Sequence, residues 1–255
     1  MAEVSQSYAD GSTTPLTLYS YWRSSASWRV RIALALKGLA YEYKAINLLK
    51  GENFTAEYTK LSPLQLLPAL VSEDGVFADS VAILEYLEEK FPQRPLLPAD
   101  LKTRTVVRQV VHLVAANIQP FQNTRVVNLI EEKLGSEERL KWTQYWITRG
   151  FTALEAILKK TSSKYSFGDE VTLADVVLVP QISSAYRVAV DMHGLNEVEE
   201  QLLVGVENSC VNSGLTFHNS QLWRKYLDHL MSWMKQKQQA PKTSRMQLFL
   251  DLYYY

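Results

Sequence analysis

The chain has 255 residues, of which 47% are hydrophobic, enough to bury the cores of two modest domains. Lysine plus arginine and aspartate plus glutamate number 27 each, which excludes a global field that would draw the chain onto nucleic acid or an anionic membrane. The single cysteine, Cys210, excludes an internal disulfide framework and a multi-cysteine zinc site, so a reducing compartment is expected.

A polar leader, residues 1–13, precedes the first predicted element. It lacks the cationic flank and apolar stretch of a signal peptide, and no later apolar run is long enough to span a bilayer. The four histidines have no close spacing typical of a metal site. These features predict a soluble, cytoplasmic protein with no metal centre.

The first elements form a strand–helix–strand unit. "LTLYSYW" (16–22) is rich in β-branched and aromatic residues and predicts a strand. Val30, Leu34 and Gly38 then follow at intervals of four, which predicts a helix with a buried face that ends at the glycine. "YEYKAINLL" (41–49) predicts a second strand, parallel to the first after a right-handed crossover.

A hairpin and a helix complete the predicted first domain, residues 14–91. "ALV" and "VFA" flank turn residues 72–75, and residues 80–91 carry apolar side chains at helical spacing behind a serine. Residues 92–100, "PQRPLLPAD", contain three prolines and predict a linker. The apolar periods over 101–255 predict an all-helical second domain, with a capping box at Thr172 and Asp175.

Seven motifs in order carry a resemblance to a known family: "SSASWRVRIALALKG", "NLLKGENF", "SPLQLLPAL", "ADSVAI", "IQPFQN", "GFTALE" and "GDEVTLADVVLVPQ". Over about residues 16–192 the chain resembles zeta-class glutathione transferases. The resemblance implies an α/β thioredoxin-like N-terminal domain, an all-α C-terminal domain, and glutathione as cofactor. Ala26 stands where the family signature has a cysteine, and the tail after about residue 192 diverges from the family.

The serines at the first helix entrance are the implied catalytic residues. A free thiol has a pKa near ~8.5, so glutathione is mostly an unreactive thiol at neutral pH. A serine hydroxyl that donates a hydrogen bond to sulfur stabilises the thiolate, and a helix N-terminus adds positive potential there. The resemblance makes Ser24 the thiolate donor and Ser25 its supporting neighbour. The alternative is that Ser24 only caps the helix.

Other residues are implied to bind glutathione. Leu67 precedes Pro68, the family keeps this bond cis, and Leu67 would present its backbone to the cysteinyl unit. Asp79 and Ser80 match a polar residue and serine that open a helix and would bind the γ-glutamyl group, although Ser80 could also be a cap. Asn53 stands where the family often has a glutamine that contacts the glycine end.

The substrate end of the site combines both domains. Gln119 and Asn123 match polar positions that face the thiol, although this pair could equally satisfy backbone groups freed by Pro120. Arg187 matches the family's arginine for a substrate carboxylate. Arg23 and Arg29 flank the thiol site and are further candidate ligands for a small anionic substrate.

The resemblance implies glutathione-dependent cis–trans isomerisation of maleylacetoacetate to fumarylacetoacetate in tyrosine catabolism, by a homodimer. It also implies transferase activity on small α-haloacids. A different class of function stays open, in which the chain is a non-catalytic glutathione-binding or interaction module on a transferase scaffold.

Overall fold

The structure, a computed structural model, describes residues 16–201. Its first part is one mixed sheet of four strands, in which β1 pairs parallel with β2 and antiparallel with β3, and β3 pairs antiparallel with β4. The spatial order is β2-β1-β3-β4, which confirms the expected parallel pair and hairpin. The strands are β1 (Leu16–Ser20), β2 (Tyr41–Ala45), β3 (Ala69–Ser72) and β4 (Gly75–Ala78).

Three helices accompany the sheet. They are α1 (Ser25–Lys37), α2 (Ala56–Leu61) and α3 (Ser80–Lys90). The first helix ends at Gly38 with φ 70°, as the sequence predicts, because glycine adopts this left-handed conformation without steric cost.

The second strand is shorter than the predicted 41–49 and stops at Ala45. The Asn47 side chain accepts the N–H groups of Leu49 and Lys50 and begins a 3-10 turn over Leu48–Lys50. The local hydrogen bonds from the backbone to the Asn47 side chain therefore favour a turn at this point, and the edge strand does not continue.

The rest of the described chain is helical, as expected. Helix α7 opens with the predicted capping box, and the Asp175 carboxylate accepts the N–H of Thr172 at 2.7 Å and that of Ser166 at 2.9 Å. The helices are α4 (Leu101–Asn117), α5 (Thr124–Leu134), α6 (Ser136–Thr161) and α7 (Leu173–Arg187), with a 3-10 turn at Gln119–Gln122.

The beginning of the divergent tail packs on this helical part. Leu195 and Val198 are buried, and the Val198 N–H donates to the buried carboxylate of Glu155 at 3.1 Å. The predicted leader (1–13) and residues 202–255 of the tail lie outside the described residues.

One hydrophobic core cluster runs through both parts, because α1 packs against both α3 and α7. Gly150 on α6 allows close approach to the end of α4, since a Cβ there would lie 2.2 Å from Ile118 Cγ1. This contact fixes the start of the turn at Gln119–Gln122, which belongs to the site described below.

A buried ion pair fixes the segment between the two parts. Lys37 Nζ lies 2.6 Å from Glu88 Oε1, and the two side chains are only 1% and 7% exposed. The same ammonium donates to the carbonyl oxygens of Phe91 and Arg94, each at 3.0 Å.

The other Glu88 oxygen accepts the N–H groups of Leu96 at 2.9 Å and Leu97 at 3.2 Å. Leu173 N–H then donates to Leu96 O at 2.8 Å, so the segment is bonded to α1 and α3 on one side and to the start of α7 on the other.

Lys37→Met should lower the free energy of unfolding by about 3–5 kcal/mol, because it leaves the Glu88 carboxylate buried without its cation. Denaturant-induced unfolding measures the loss. The matched control is Lys90→Met, which breaks exposed ion pairs with Glu73 and Asp74 and should have a far smaller effect. Equal losses in the two variants would contradict a structural role for the buried pair.

Candidate active site

Ser24 lies at the entrance of α1 as its N-cap. Its Oγ accepts the Ser27 N–H at 3.1 Å, so Ser24 does cap the helix. Capping uses the hydroxyl as an acceptor only, and its hydrogen remains available to a ligand. The first turn of α1 contains no acidic residue to cancel the positive potential of the helix terminus. Ser25 follows as the first residue of the helix, and both serines are partly exposed.

Arg31, buried on the same helix, holds the loop that carries Ser24. Its guanidinium donates to Ser20 Oγ at 2.7 Å, to Tyr21 O at 3.2 Å and to Trp22 O at 3.1 Å. Burial lowers the pKa of Arg31, although it stays a cation because an arginine pKa starts so high. Arg31 therefore fixes the β1–α1 loop and adds a positive charge beneath it.

The Leu67–Pro68 bond is cis, as the resemblance implied. The loop before it is held by Leu66 O, which accepts the hydroxyls of Tyr58 at 2.7 Å and Ser62 at 3.0 Å. Burial raises the pKa of Tyr58, so this phenol remains a donor. These bonds place Leu67 and Pro68 directly before β3.

Asn53 bonds the same loop through its side-chain amide. Its side chain is 5% exposed, and Nδ2 donates to Gln65 O at 3.0 Å. Arg125 of α5 donates to the same oxygen at 3.1 Å and thus joins the helical part to this loop. Asn53 thus supports this loop, and its contact with the glycine end of a ligand stays a prediction.

Asp79 and Ser80 lie together at the N-terminus of α3. The Asp79 carboxylate accepts the N–H groups of Val81 at 2.8 Å and Ala82 at 3.1 Å, with the Asp79 backbone at φ 87°. Ser80 is buried, and its Oγ accepts a hydrogen bond from Arg29 Nη1 at 3.0 Å.

Two of the three predicted arginines lie where a dissolved substrate can reach them. Arg187 is partly exposed at the end of α7 and donates to Ser184 Oγ at 2.7 Å. Arg23 is exposed, 5.5 Å from the centre of the Trp22 ring. Arg29 is different, because it is 1% exposed behind Ser80. Its burial corrects the expectation that Arg29 is a direct substrate ligand.

The polar residues near Pro120 belong to the 3-10 turn between α4 and α5. Gln119 is the first residue of that turn and Asn123 caps α5, with its Oδ1 accepting the Arg125 N–H at 3.1 Å. Both are partly exposed. Asn123 is thus a capping residue whose side-chain amide still has donors available to a ligand.

Contacts from two other helices hold that turn. The Phe121 ring stacks on Trp146 of α6 at 3.9 Å between centroids, and Trp142 Nε1 donates to Phe121 O at 2.9 Å. Gln122 Nε2 donates to the buried Gln181 Oε1 of α7 at 2.7 Å.

Within residues 16–201, no group of three or more His, Cys, Asp or Glu side chains could hold a metal ion. In the same range, no helix is long and apolar enough to cross a membrane.

Comparison with known proteins identifies the family. Residues 14–89 match the family described as glutathione S-transferase, N-terminal domain. The chain is 52% identical over 178 residues to the zeta-class glutathione S-transferase of Euphorbia esula, covering 69% of this chain and 79% of the relative. The chain belongs to the zeta class of glutathione S-transferases.

Two other similar proteins are named as isomerases. Maleylacetoacetate isomerase of Mus musculus is 50% identical over 177 residues, which are 69% of this chain and 80% of the relative. A bacterial zeta-class maleylpyruvate isomerase superposes with a TM-score of 0.72 at 40% identity, covering 75% of this chain and 92% of the other.

Maleylacetoacetate isomerase from Anaeromyxobacter dehalogenans, described with dicarboxyethyl glutathione and citrate in its active site, has a TM-score of 0.68 at 38% identity. The superposition covers 76% of this chain and 94% of that one. The thioredoxin-like N-terminal domain followed by helices is therefore confirmed as the zeta-class fold.

The sequence analysis missed the residues that support this zeta-class site from behind. Arg31 and Gln181 hold the loop and the turn that carry the predicted ligands. The available signal was polarity at positions that an apolar helix pattern should bury, namely an arginine within "RVRIALAL" and a glutamine after "LVP".

Ser24→Gly should lower turnover with glutathione by roughly tenfold or more, because it removes the hydroxyl that is predicted to stabilise the thiolate. Glycine is a tolerated N-cap, so stability should fall by only a few tenths of a kcal/mol, whereas Ser24→Ala should cost about 1 kcal/mol. The pKa of bound glutathione, followed by thiolate absorbance, should rise in both variants.

Ser24→Thr is the control, since threonine retains both the cap and the hydroxyl and should keep a low thiol pKa. Full turnover in Ser24→Gly would mean that Ser24 is only a cap.

Proposed function

We propose that this chain catalyses the glutathione-dependent cis–trans isomerisation of maleylacetoacetate to fumarylacetoacetate. The observation that carries the proposal is the Ser24 hydroxyl at the N-terminus of α1, with a hydrogen available to donate and no acid in the first turn. Relatives at about half identity are named maleylacetoacetate isomerase or zeta-class transferase, which supports the same reaction. The proposed activity includes transferase chemistry on small α-haloacids.

The polar groups of the first part fit glutathione. Ser80 and the backbone N–H groups that open α3 offer donors to the γ-glutamyl carboxylate, and the Asp79 carboxylate lies beside them for the ammonium. Leu67 and Pro68 border the sheet where a peptide backbone can pair with the chain. Gln119 and Asn123 supply further donors from the helical part. Structures of relatives described with bound glutathione support the same ligand.

When bound, glutathione supplies a thiol that, once ionised, adds to the cis double bond and is eliminated after rotation. Ser24 donates to the sulfur and Ser25 supports the same helix entrance, so the pKa of the thiol falls. The N-terminus of α1 and the buried Arg31 cation act in the same direction. No acid or base of the protein is required, because the nucleophile and the leaving group are the same thiol.

The proposed substrate is a dianion, so its carboxylates need cations. Arg187, at the end of α7, offers a planar guanidinium to one carboxylate, and the exposed Arg23 beside Ser24 offers a second. The Ser184 hydroxyl accepts one Arg187 N–H at 2.7 Å and thereby orients the rest of the fork. In this proposal Arg187 and Arg23 hold the substrate so that its double bond lies against the thiol, and neither arginine reacts.

The remaining parts of the proposal concern assembly and location. We propose a homodimer, supported by apolar side chains exposed in both parts: Leu101 of α4 is 69% exposed and Val76 of β4 is 44% exposed. A cytoplasmic location is supported by the use of a single cysteine in the chain.

Turnover of maleylacetoacetate should require glutathione and should leave the glutathione concentration unchanged. Arg187→Met should raise the KM for the substrate about 10- to 100-fold, because a charged hydrogen-bonded pair is lost. Calorimetry should show unchanged affinity for glutathione. Arg149→Met is the control, since Arg149 is an exposed arginine of α6 outside this site.

Glutathione binding without turnover of maleylacetoacetate or of any α-haloacid would overturn the proposed activity and support a non-catalytic binding module.

The homodimer has its own test. Light scattering after size exclusion should give twice the 29.1 kDa mass of the chain. The double variant Val76→Glu with Leu101→Glu should shift the protein towards the monomer, because it places charges on the proposed apolar interface. A wild-type mass of 29.1 kDa at micromolar concentration would contradict the homodimer.

A further inference from the structure

The guanidinium of Arg29 is buried on α1 directly behind the N-terminus of α3. It is 1% exposed, and Nη1 donates to Ser80 Oγ at 3.0 Å. The substrate-binding role that the sequence suggested requires an exposed group, so this charge needs a different explanation.

Most of the hydrogen-bonding capacity of this guanidinium is unused. Within the described residues, Arg29 Nε and Nη2 are buried and have no hydrogen-bond partner. The charge of Asp79 acts on Arg29, but the Asp79 carboxylate accepts the N–H groups of Val81 and Ala82. Burial lowers the pKa of Arg29 to about 10, and the charge of Asp79 only partly opposes this shift. A buried cation without a paired anion is costly, so an anionic ligand beside Arg29 would be stabilised by it.

The hydrogen bond to Ser80 has a definite direction. A guanidinium can only donate, so the Ser80 oxygen must accept and its own hydrogen must point elsewhere. Ser80 is the first residue of α3, an eleven-residue helix whose N-terminal N–H groups favour an anion. The Ser80 hydroxyl can thus donate to an anion at that terminus. The hydrogen bond that Ser80 accepts from Arg29 strengthens the one that Ser80 donates to the anion.

We propose that Arg29 is a positioning residue that makes the site selective for the α-carboxylate of the γ-glutamyl unit, by orienting the Ser80 hydroxyl and by supplying the cation that this carboxylate lacks. The inference rests on the proposed function, since it takes glutathione as the ligand. The anion that binds at α3 would complete the charge balance of the buried guanidinium. A ligand without that carboxylate would leave Arg29 unpaired and would therefore bind more weakly.

The test compares two ligands by calorimetry: glutathione, and 4-aminobutanoyl-cysteinylglycine, which lacks only the α-carboxylate. The wild type should bind glutathione about 10- to 100-fold more tightly than the analogue. In Arg29→Met, which replaces the charge with an apolar chain of similar length, that ratio should fall to a few-fold. The loss should come from weaker binding of glutathione, while the affinity for the analogue changes little. The KM for glutathione should rise, with kcat at saturating glutathione nearly unchanged.

Two further variants trace the effect through Ser80. Ser80→Ala should reduce the ratio in the wild type and should have much less effect in the Arg29→Met background, because the two residues act through one hydrogen-bond chain. Arg29→Lys should keep part of the selectivity, since it retains the charge but not the fork. If Arg29→Met does not fold, Ser80→Ala and Arg29→Lys make the same comparison.

Arg31→Met is the matched control. It removes another buried arginine of α1, one that bonds the β1–α1 loop and not Ser80, so it should weaken both ligands equally. An unchanged ligand ratio in Arg29→Met, or equal losses for the two ligands, would overturn the role of Arg29 and leave the proposed function intact. A wild type that binds neither ligand would overturn both.

Discussion

Three buried cations on α1 hold the parts of the structure that the site depends on. Arg29 bonds Ser80 at the start of α3, Arg31 bonds the loop before Ser24, and Lys37 bonds Glu88 near the end of α3. Each cation meets at least one polar group from outside the helix, and α1 packs against both α3 and α7. Lys37 is paired with a carboxylate, whereas among the described residues Arg29 has only the neutral Ser80 hydroxyl as its hydrogen-bond acceptor. Helix α1 is thus both a core element and the frame of the glutathione site.

The sequence was sufficient for the kind and order of most elements, because those depend on local periodicity. The apolar spacing of α1 and its end at Gly38 were predicted and confirmed. The predicted end of the second strand was wrong, because the Asn47 side chain accepts backbone N–H groups of the next residues. The spacing of apolar residues gives no information about such a hydrogen bond. The family resemblance supplied the cis bond before Pro68, which no local pattern in this chain would have indicated.

Burial of charge was the main feature that local reasoning could not find. Arg29 was proposed as a substrate ligand because it flanks the thiol site in the sequence, whereas its acceptor, Ser80, lies 51 positions along the chain. Asn53 likewise binds the carbonyl of Gln65, 12 positions away. Such residues become explicable only when the folded chain shows which distant groups they meet. Ser24 was the opposite case, since its role as a helix cap was foreseeable from its own position at the start of α1.

The division into two domains that composition suggests does not coincide with a division in the hydrogen bonds. A fragment that stopped at residue 91 would lack the Arg94 carbonyl that Lys37 binds and the Leu96 and Leu97 N–H groups that Glu88 binds. The first part therefore depends on backbone groups of residues 94, 96 and 97 in the proline-rich segment to satisfy its own buried ion pair. In a circular permutation or a gene fusion, a new chain end placed in this segment would separate Lys37 and Glu88 from their backbone partners. The first part would then be destabilised, although every helix and strand on both sides remained complete.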